Sequence, residues 1–146
     1  MGKIIEIGIC KAKGDEITSL NIAEAIKGEG IRYDRKCKKS NDKMKQITLI
    51  GIENIKYYNE TSSTRFSALS FRRNIVTEGI VLNDLLLKEF YVGRVKLYAH
   101  DLCRPCKYLQ ELLKKDNIIK EFLIKGGLRC EILSNGKISV GDSINI

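Results

Sequence analysis

The chain has 146 residues, of which 43% are hydrophobic and 30% charged, and its net charge is +8. This length fits one domain, over residues 1–146, that buries a core of its own. The composition excludes a disordered chain and a Pro-rich low-complexity chain. No stretch approaches the roughly 20 consecutive apolar residues of a helical membrane span, so we expect no association with a membrane.

The chain contains five cysteines, an odd number, so they cannot all form disulfide pairs within one chain. The N-terminus has neither the long apolar stretch nor the small-residue cleavage site of a secretory signal. We therefore expect a cytoplasmic protein whose thiols are reduced and mostly buried as small apolar groups. The positive charge favours an anionic partner, either a nucleic acid or a phosphorylated small molecule, although a solvated basic surface has the same composition.

The first half of the chain predicts strands with one short helix. Alternating apolar residues indicate strands at 3–10 and 46–50. The apolar residues in 22–26 fit a short helix and an irregular strand equally well. The polar, strongly basic segment 37–45 is typical of an exposed loop, and helical spacing of apolar residues in 52–58 predicts a short helix.

The second half predicts further β-structure around one helix. Residues 74–77 are typical of a strand, and residues 90–98 of a hairpin that turns at a glycine. The segment 105–115 has the clearest helical pattern, with leucines on one face. Two short strands within 129–140 flank an Asn-Gly pair, which predicts a second hairpin. The fold class expected is mainly β, a closed or partly closed β-barrel with a few short helices.

The sharpest local motif is Cys103-Arg104-Pro105-Cys106-Lys107. Proline is favoured at the first position of a helix, which would place Cys106 in the first turn, where free N–H groups and the helix dipole favour an anion. With two cationic neighbours, this position favours the thiolate form. A thiolate suits sulfur transfer and soft-metal ligation, so Cys106 is the candidate reactive residue. An idle cysteine near a helix start fits the motif about as well.

The same cysteine pair permits two other interpretations. One C-x-x-C pair is half of a tetrahedral zinc set, and His100, the single histidine, is the only further ligand nearby. A redox dithiol of Cys103 and Cys106 would make both thiols essential.

A second candidate is Arg72-Arg73-Asn74, where two guanidinium groups and an amide can hold a phosphate and the edge of a heterocycle. A solvated strand start is the simpler interpretation, and Asp34-Arg35 alone is typical of a surface ion pair. The sequence contains no G-x-x-x-x-G-K-[ST] loop. Basic residues are not interleaved with aromatic ones as in RNA-binding modules, so nucleic acid is not the expected partner.

Taken together, six segments spread over almost the whole chain resemble the MOSC domain, the molybdenum cofactor sulfurase C-terminal domain. The Arg-Arg-Asn and Arg-Pro-Cys blocks, about 30 residues apart, make the combination specific. Tyr33 stands where the family usually has Gly, and Lys36 where it usually has His. The segments, in chain order, are 31–35, 45–50, 71–80, 102–106, 126–129 and 140–142.

The resemblance implies a MOSC-type β-barrel that handles the molybdenum cofactor or its sulfur. In molybdenum cofactor sulfurases the domain follows a pyridoxal-phosphate cysteine desulfurase. In the mitochondrial amidoxime-reducing component a cysteine of the domain ligates molybdenum, and Cys106 stands at the matching position. The desulfurase domain is not in this sequence, so pyridoxal phosphate is not expected on this chain.

The resemblance therefore implies binding of the molybdenum cofactor (molybdopterin), a sulfur-carrier role, or both. Cys106 is the expected catalytic residue and molybdenum ligand. The expected cofactor-binding residues are Arg35, Arg72, Arg73, Asn74 and Arg104. Expected partners are a separate cysteine desulfurase or a molybdoenzyme.

Two functions of other classes remain open. One is a free-standing molybdenum-dependent oxidoreductase that reduces N-hydroxylated compounds. The other is a basic, non-catalytic module that binds nucleic acid, whose affinity would depend strongly on salt.

Overall fold

The computed structural model describes residues 2–146. Over these residues the chain is mainly β, with short helices between the strands. No helix in this range is both long and apolar enough to cross a membrane. The elements in chain order are β1 (Gly2–Ile9), β2 (Thr18–Leu20), β3 (Ile22–Ile26), β4 (Gly30–Ile31), β5 (Ile47–Gly51), α1 (Ile52–Ser62), a 3-10 helix (Ala68–Phe71), β6 (Ile75–Glu78), a second 3-10 helix (Leu82–Leu85), β7 (Glu89–Val92), β8 (Val95–Leu102), α2 (Lys107–Leu113), α3 (Ile118–Glu121), β9 (Leu128–Ile132), β10 (Gly136–Ser139) and β11 (Ser143–Asn145).

Seven strands of the described chain close into a barrel, in the hydrogen-bonded order β11-β7-β8-β9-β5-β6-β1. The barrel closes where Gly2 of β1 pairs with Ile144 of β11. Strands β5 and β6 are parallel and are linked by α1, whereas the other barrel pairs are antiparallel. A separate sheet has the order β10-β3-β4. The predicted fold class, a β-barrel with a few short helices, is confirmed.

Two apolar clusters stabilise this arrangement. The larger fills the barrel with mostly aliphatic side chains that alternate along the strands, as the period of two requires. The smaller lies outside β5 and β6 and packs α1, α2 and α3 against them. Its centre is the pair Phe71 and Phe122, whose ring centroids are 4.7 Å apart. This second cluster fixes α2, and with it the Cys103–Cys106 segment, beside the start of β6.

The predicted hairpin in 129–140 is wrong, although both of its strands form. Strand β9 already has β8 on one side and β5 on the other, so neither edge is free for β10. Strand β10 pairs instead with β3, where Ile138 faces Ala23. Asn135 does not form the turn of a hairpin between β9 and β10. Its Oδ1 accepts a hydrogen bond of 2.7 Å from the backbone N–H of Lys27. The pairing also settles 22–26 as a strand.

Candidate functional site

A cleft of about 670 Å³ opens beside the start of β6 and the end of β8. Of its nineteen described lining residues, eight are Lys or Arg and one, Asp34, is acidic. Such an excess of one sign in a concave site attracts anionic ligands. The cations are Lys13, Arg35, Lys36, Lys45, Arg72, Arg73, Arg104 and Arg129.

Cys106 lies on the wall of this cleft with its side chain exposed. The predicted helix 105–115 is shorter, since α2 begins at Lys107, and the prediction that Cys106 lies in its first turn is wrong. Cys106 is the extended N-cap, with φ −103° and ψ 168°. The segment before α2 is fixed at two points outside the helix: the backbone N–H of Cys103 donates to the carbonyl of Gly127 at 2.7 Å, and Pro105 is buried.

Two further cysteines line the same cleft, and both are buried. The Cys10 thiol donates to the carbonyl of Ala12 at 3.0 Å and lies 3.3 Å from Nη2 of Arg72. Cys103 is held by its backbone, as described above. Their burial leaves Cys106 as the one exposed thiol of the cleft within the described residues.

Arg73 lines the cleft, but its guanidinium group is used within the protein. Nε donates to the carbonyl of Gly126 at 3.0 Å, Nη1 to Phe71 at 3.1 Å and Nη2 to Cys103 at 3.1 Å. These charge-assisted bonds tie three chain segments together. Arg73 therefore fixes the backbone that leads to Cys106, and two of its five N–H groups are left for a ligand.

Asn74 is also bonded within the protein. Its Nδ2 donates to Gly8 at 3.0 Å, and its Oδ1 accepts from the backbone N–H of Thr48 at 3.1 Å. The Thr48 hydroxyl in turn accepts from the Asn74 backbone N–H at 3.0 Å. The amide thus joins the starts of β5 and β6 and the end of β1, and forms one wall of the cleft.

Asp34-Arg35 is not the surface ion pair that the sequence predicted. Asp34 Oδ1 accepts from the backbone N–H of Cys10 at 2.9 Å, and Oδ2 from that of Lys36 at 3.2 Å. The exposed Arg35 side chain makes no ion pair within residues 2–146. Arg104, by contrast, donates to Asp101 at 3.0 Å.

The basic segment 37–45 is a loop, as predicted, but it is not only a solvated face. Asn41 is buried and its Nδ2 donates to the carbonyls of Glu29 at 2.8 Å and Lys36 at 2.7 Å, which anchors the loop. The anchored loop brings Lys45, and Lys36 immediately before the loop, into the cleft. Burial, followed by the nearby Arg35, lowers the pKa of Lys36.

Arg129 lines the cleft and was not among the residues predicted from the sequence. It lies in β9 between the buried Leu128 and Cys130, so the period of two turns its side chain to the outer face and into the cleft. That alternation is visible in the sequence. What the sequence does not show is that β9 is the strand next to β5 and the Cys103 segment.

The zinc interpretation receives no support. His100 lies outside the cleft lining, and its Nε2 is 2.8 Å from Oε1 of Glu131. Within residues 2–146, no three His, Cys, Asp or Glu side chains come close enough to hold a metal ion.

The thiols are expected to alkylate in the order of their exposure. Iodoacetamide should label Cys106 first. Cys37 should react more slowly, because burial, Glu29 and Asp34 raise its pKa and leave less thiolate at neutral pH. Cys130 is 0% exposed and its pKa is also raised by burial, so it should react only after unfolding. Mass-spectrometric mapping against pH measures this order, with urea-unfolded protein as the control. Equal rates for Cys106 and Cys37 in the folded protein would contradict it.

The fold is similar to that of several solved structures. The YuaD protein of Bacillus subtilis superposes with a TM-score of 0.83 at 15% identity, over 99% of this chain and 94% of that one. YiiM of Geobacillus stearothermophilus gives 0.80 at 20%, over 99% and 74%. YiiM of Escherichia coli gives 0.71 at 15%, over 98% and 68%. These identities are low, so the likeness concerns the fold.

Family membership comes from the sequence itself. No curated protein matches the chain significantly. The MOSC domain model, however, matches residues 34–145, which include the Arg72–Asn74 block, the Cys103–Cys106 segment and Arg129. This family is associated with molybdenum cofactor binding and sulfur transfer. The chain therefore belongs to the MOSC domain family.

Proposed function

We propose that the cleft binds the molybdenum cofactor and that the Cys106 thiolate ligates its metal or carries sulfur for it. The observation that carries this proposal is the exposed thiol on the wall of a cleft with eight cations and one carboxylate. Molybdopterin is a phosphorylated, anionic dithiolene, which matches that charge. A thiolate matches the soft-metal and sulfur chemistry.

The donor groups fit this ligand. Five cations of the cleft make no ion pair and no side-chain hydrogen bond within residues 2–146. The single carboxylate, Asp34, has both oxygens hydrogen-bonded to backbone N–H groups. When bound, the cofactor would supply a soft metal centre that accepts the thiolate as a ligand. The five available cations are Lys13, Arg35, Lys36, Lys45 and Arg129.

The sulfur-carrier role would use the same exposed thiol. The Cys106 thiolate attacks the outer sulfur of a persulfide on a donor cysteine. The donor's S–S bond breaks, its thiolate leaves with the electron pair, and a new S–S bond forms on Cys106. A separate cysteine desulfurase would supply that persulfide, and a molybdoenzyme would receive the cofactor.

The loop lysines provide a matched test of the cofactor site. Lys36→Gln combined with Lys45→Gln removes two charges that line the cleft. Lys39→Gln combined with Lys43→Gln removes two charges from the exposed part of the same loop. Titration with molybdopterin should show a loss of about tenfold or more in affinity for the first pair and little change for the second.

The same variants are titrated with an unrelated single-stranded RNA at two salt concentrations. A nucleic-acid-binding module would lose affinity equally with both lysine pairs, and each lost phosphate contact would reduce the salt slope by about one. Tight RNA binding of that kind, without measurable molybdopterin binding, would refute the proposal. An oxidoreductase would in addition reduce an N-hydroxylated compound when an electron donor is supplied.

A further inference from the structure

A second groove of about 690 Å³ lies next to the cleft. Its floor contains the buried side chains of Ile9 and Ala23. Two large apolar side chains line it while remaining open to solvent: Ile22 is 57% exposed and Tyr33 is 73% exposed. An aromatic and an aliphatic side chain exposed together over an apolar floor are typical of a protein-binding surface.

Tyr33 contributes little to the stability of this chain. Its backbone has φ 73°, in the left-handed region that favours glycine. Most of its ring is exposed, and the ring contact found within residues 2–146 is with the guanidinium carbon of Arg32, 5.9 Å from its centroid. A bulky residue at a position suited to glycine, with its ring exposed, is better explained by a partner than by packing.

The rim of the groove is cationic. Arg32 already pairs with Glu24, the one acidic lining residue, at 2.9 Å. Lys11 and Lys137 are exposed and make no ion pair within the described part of the chain. The surplus of two positive charges around an apolar floor complements a negatively charged segment that carries an apolar side chain.

The groove and the Cys106 cleft share a dividing ridge. Neighbouring residues line opposite sides of it: Cys10 faces the cleft and Lys11 the groove, while Tyr33 faces the groove and Asp34 the cleft. The ridge is held by the hydrogen bond from the backbone N–H of Arg35 to the carbonyl of Cys10, at 2.7 Å. A segment seated in the groove would therefore lie beside the entrance to the cleft.

We propose that this groove docks an acidic segment of a partner protein, with one aromatic or aliphatic side chain between Ile22 and Tyr33. A second copy of this chain is a poor occupant, because its net charge of +8 opposes association with a cationic rim. The docking does not depend on which ligand the cleft binds, so it can be tested separately from the cofactor proposal.

The test selects binders to the purified chain from a library of short displayed peptides of random sequence. The selected peptides should carry Asp or Glu on both sides of one aromatic or aliphatic residue. Binding of the synthetic peptides should fall about tenfold or more in Tyr33→Gly, as for an interface hot spot, and strongly in Lys11→Glu combined with Lys137→Glu. Lys39→Glu combined with Lys43→Glu, outside both pockets, is the charge-matched control and should keep most of the affinity.

Tyr33→Gly separates binding from folding. Glycine suits φ 73°, so this variant should melt at or above the temperature of the natural chain while it loses the peptide. The proposal is overturned if selection yields no acidic peptides, or if the control pair loses as much affinity as the groove variants. It is also overturned if sedimentation shows a dimer that Tyr33→Gly disrupts, since the occupant would then be a second copy.

Discussion

Gly127→Ala is expected to destabilise this protein strongly, because the added methyl group would meet backbone atoms of a neighbouring strand. Gly127 has φ 102°, and a Cβ there would collide with the backbone carbonyl of Leu49 in the neighbouring strand β5. Neither backbone can move without breaking the pairing of Leu49 with Leu128. We expect a loss of about 4 kcal/mol or more in the free energy of unfolding, out of a total of roughly 5–15 kcal/mol. Urea denaturation measures it.

Gly141→Ala is the matched control for this prediction. Gly141 has a similar φ of 96°, but nothing lies within 4 Å of the position that a Cβ would take. Its substitution should cost only the backbone strain, about 1 kcal/mol. If both variants lost the same stability, the close approach of β5 to Gly127 would not be the cause, and the position assigned to the adjacent Cys103 segment would be wrong.

Arg73→Lys is expected to loosen the cleft although the charge is unchanged. The three guanidinium nitrogens bond the carbonyls of Gly126, Phe71 and Cys103, whereas one ammonium group cannot reproduce that planar geometry. Carbonyls left without partners should cost about 2 kcal/mol in the free energy of unfolding. The backbone around Cys103 should also shift, which weakens molybdopterin binding indirectly.

Exposure of the Cys103 thiol distinguishes this positioning role from a general loss of stability. Under native conditions iodoacetamide should label Cys103 faster in Arg73→Lys than in the natural chain, while labelling of Cys130, which is buried inside the barrel, stays slow. Arg72→Lys is the control, because within residues 2–146 the Arg72 side chain bonds the Asp15 carbonyl and the Cys10 thiol and makes no bond to Cys103, which should stay protected. Unchanged protection of Cys103 in Arg73→Lys would contradict the proposal that the Arg73 hydrogen bonds hold the Cys103 backbone in place.

Sequence patterns predict strand pairing best where two consecutive strands pair with each other through the turn that joins them. The hairpin of β7 and β8 turns at Gly93, which has φ 61°, so the local turn and the pairing agree. The Asn-Gly at 135–136 is an equally strong local signal, yet β9 pairs with β5 and β8. The short closing strand β11 was not predicted, because three residues are too few to show the alternation of buried and exposed side chains. The strand becomes evident only from its pairing with β1 and β7.

The sequence predicted several of the residues that line the cleft, but not the contacts that they make. Sequence reasoning placed Cys106 near a helix start among cations, and it is exposed on a cationic cleft. It could not show that Arg73 and Asn74 are bonded to backbone carbonyls, because those partners are far away in the sequence. It also missed Lys36 and Arg129, since the loop anchor and the neighbours of β9 become visible only in the fold.

The most direct test of the central proposal is the molybdenum and sulfane-sulfur content of the chain purified from a host that makes the cofactor. The natural chain should carry molybdenum, sulfane sulfur or both in near-stoichiometric amounts. The Cys106→Ser variant should lose them. Cys37→Ser, at a thiol outside the cleft, should behave as the natural chain. Equal loss in Cys103→Ser would indicate a dithiol. A Cys106→Ser variant that retains molybdenum and sulfane sulfur at the natural level, or a natural chain that carries neither, would contradict the account.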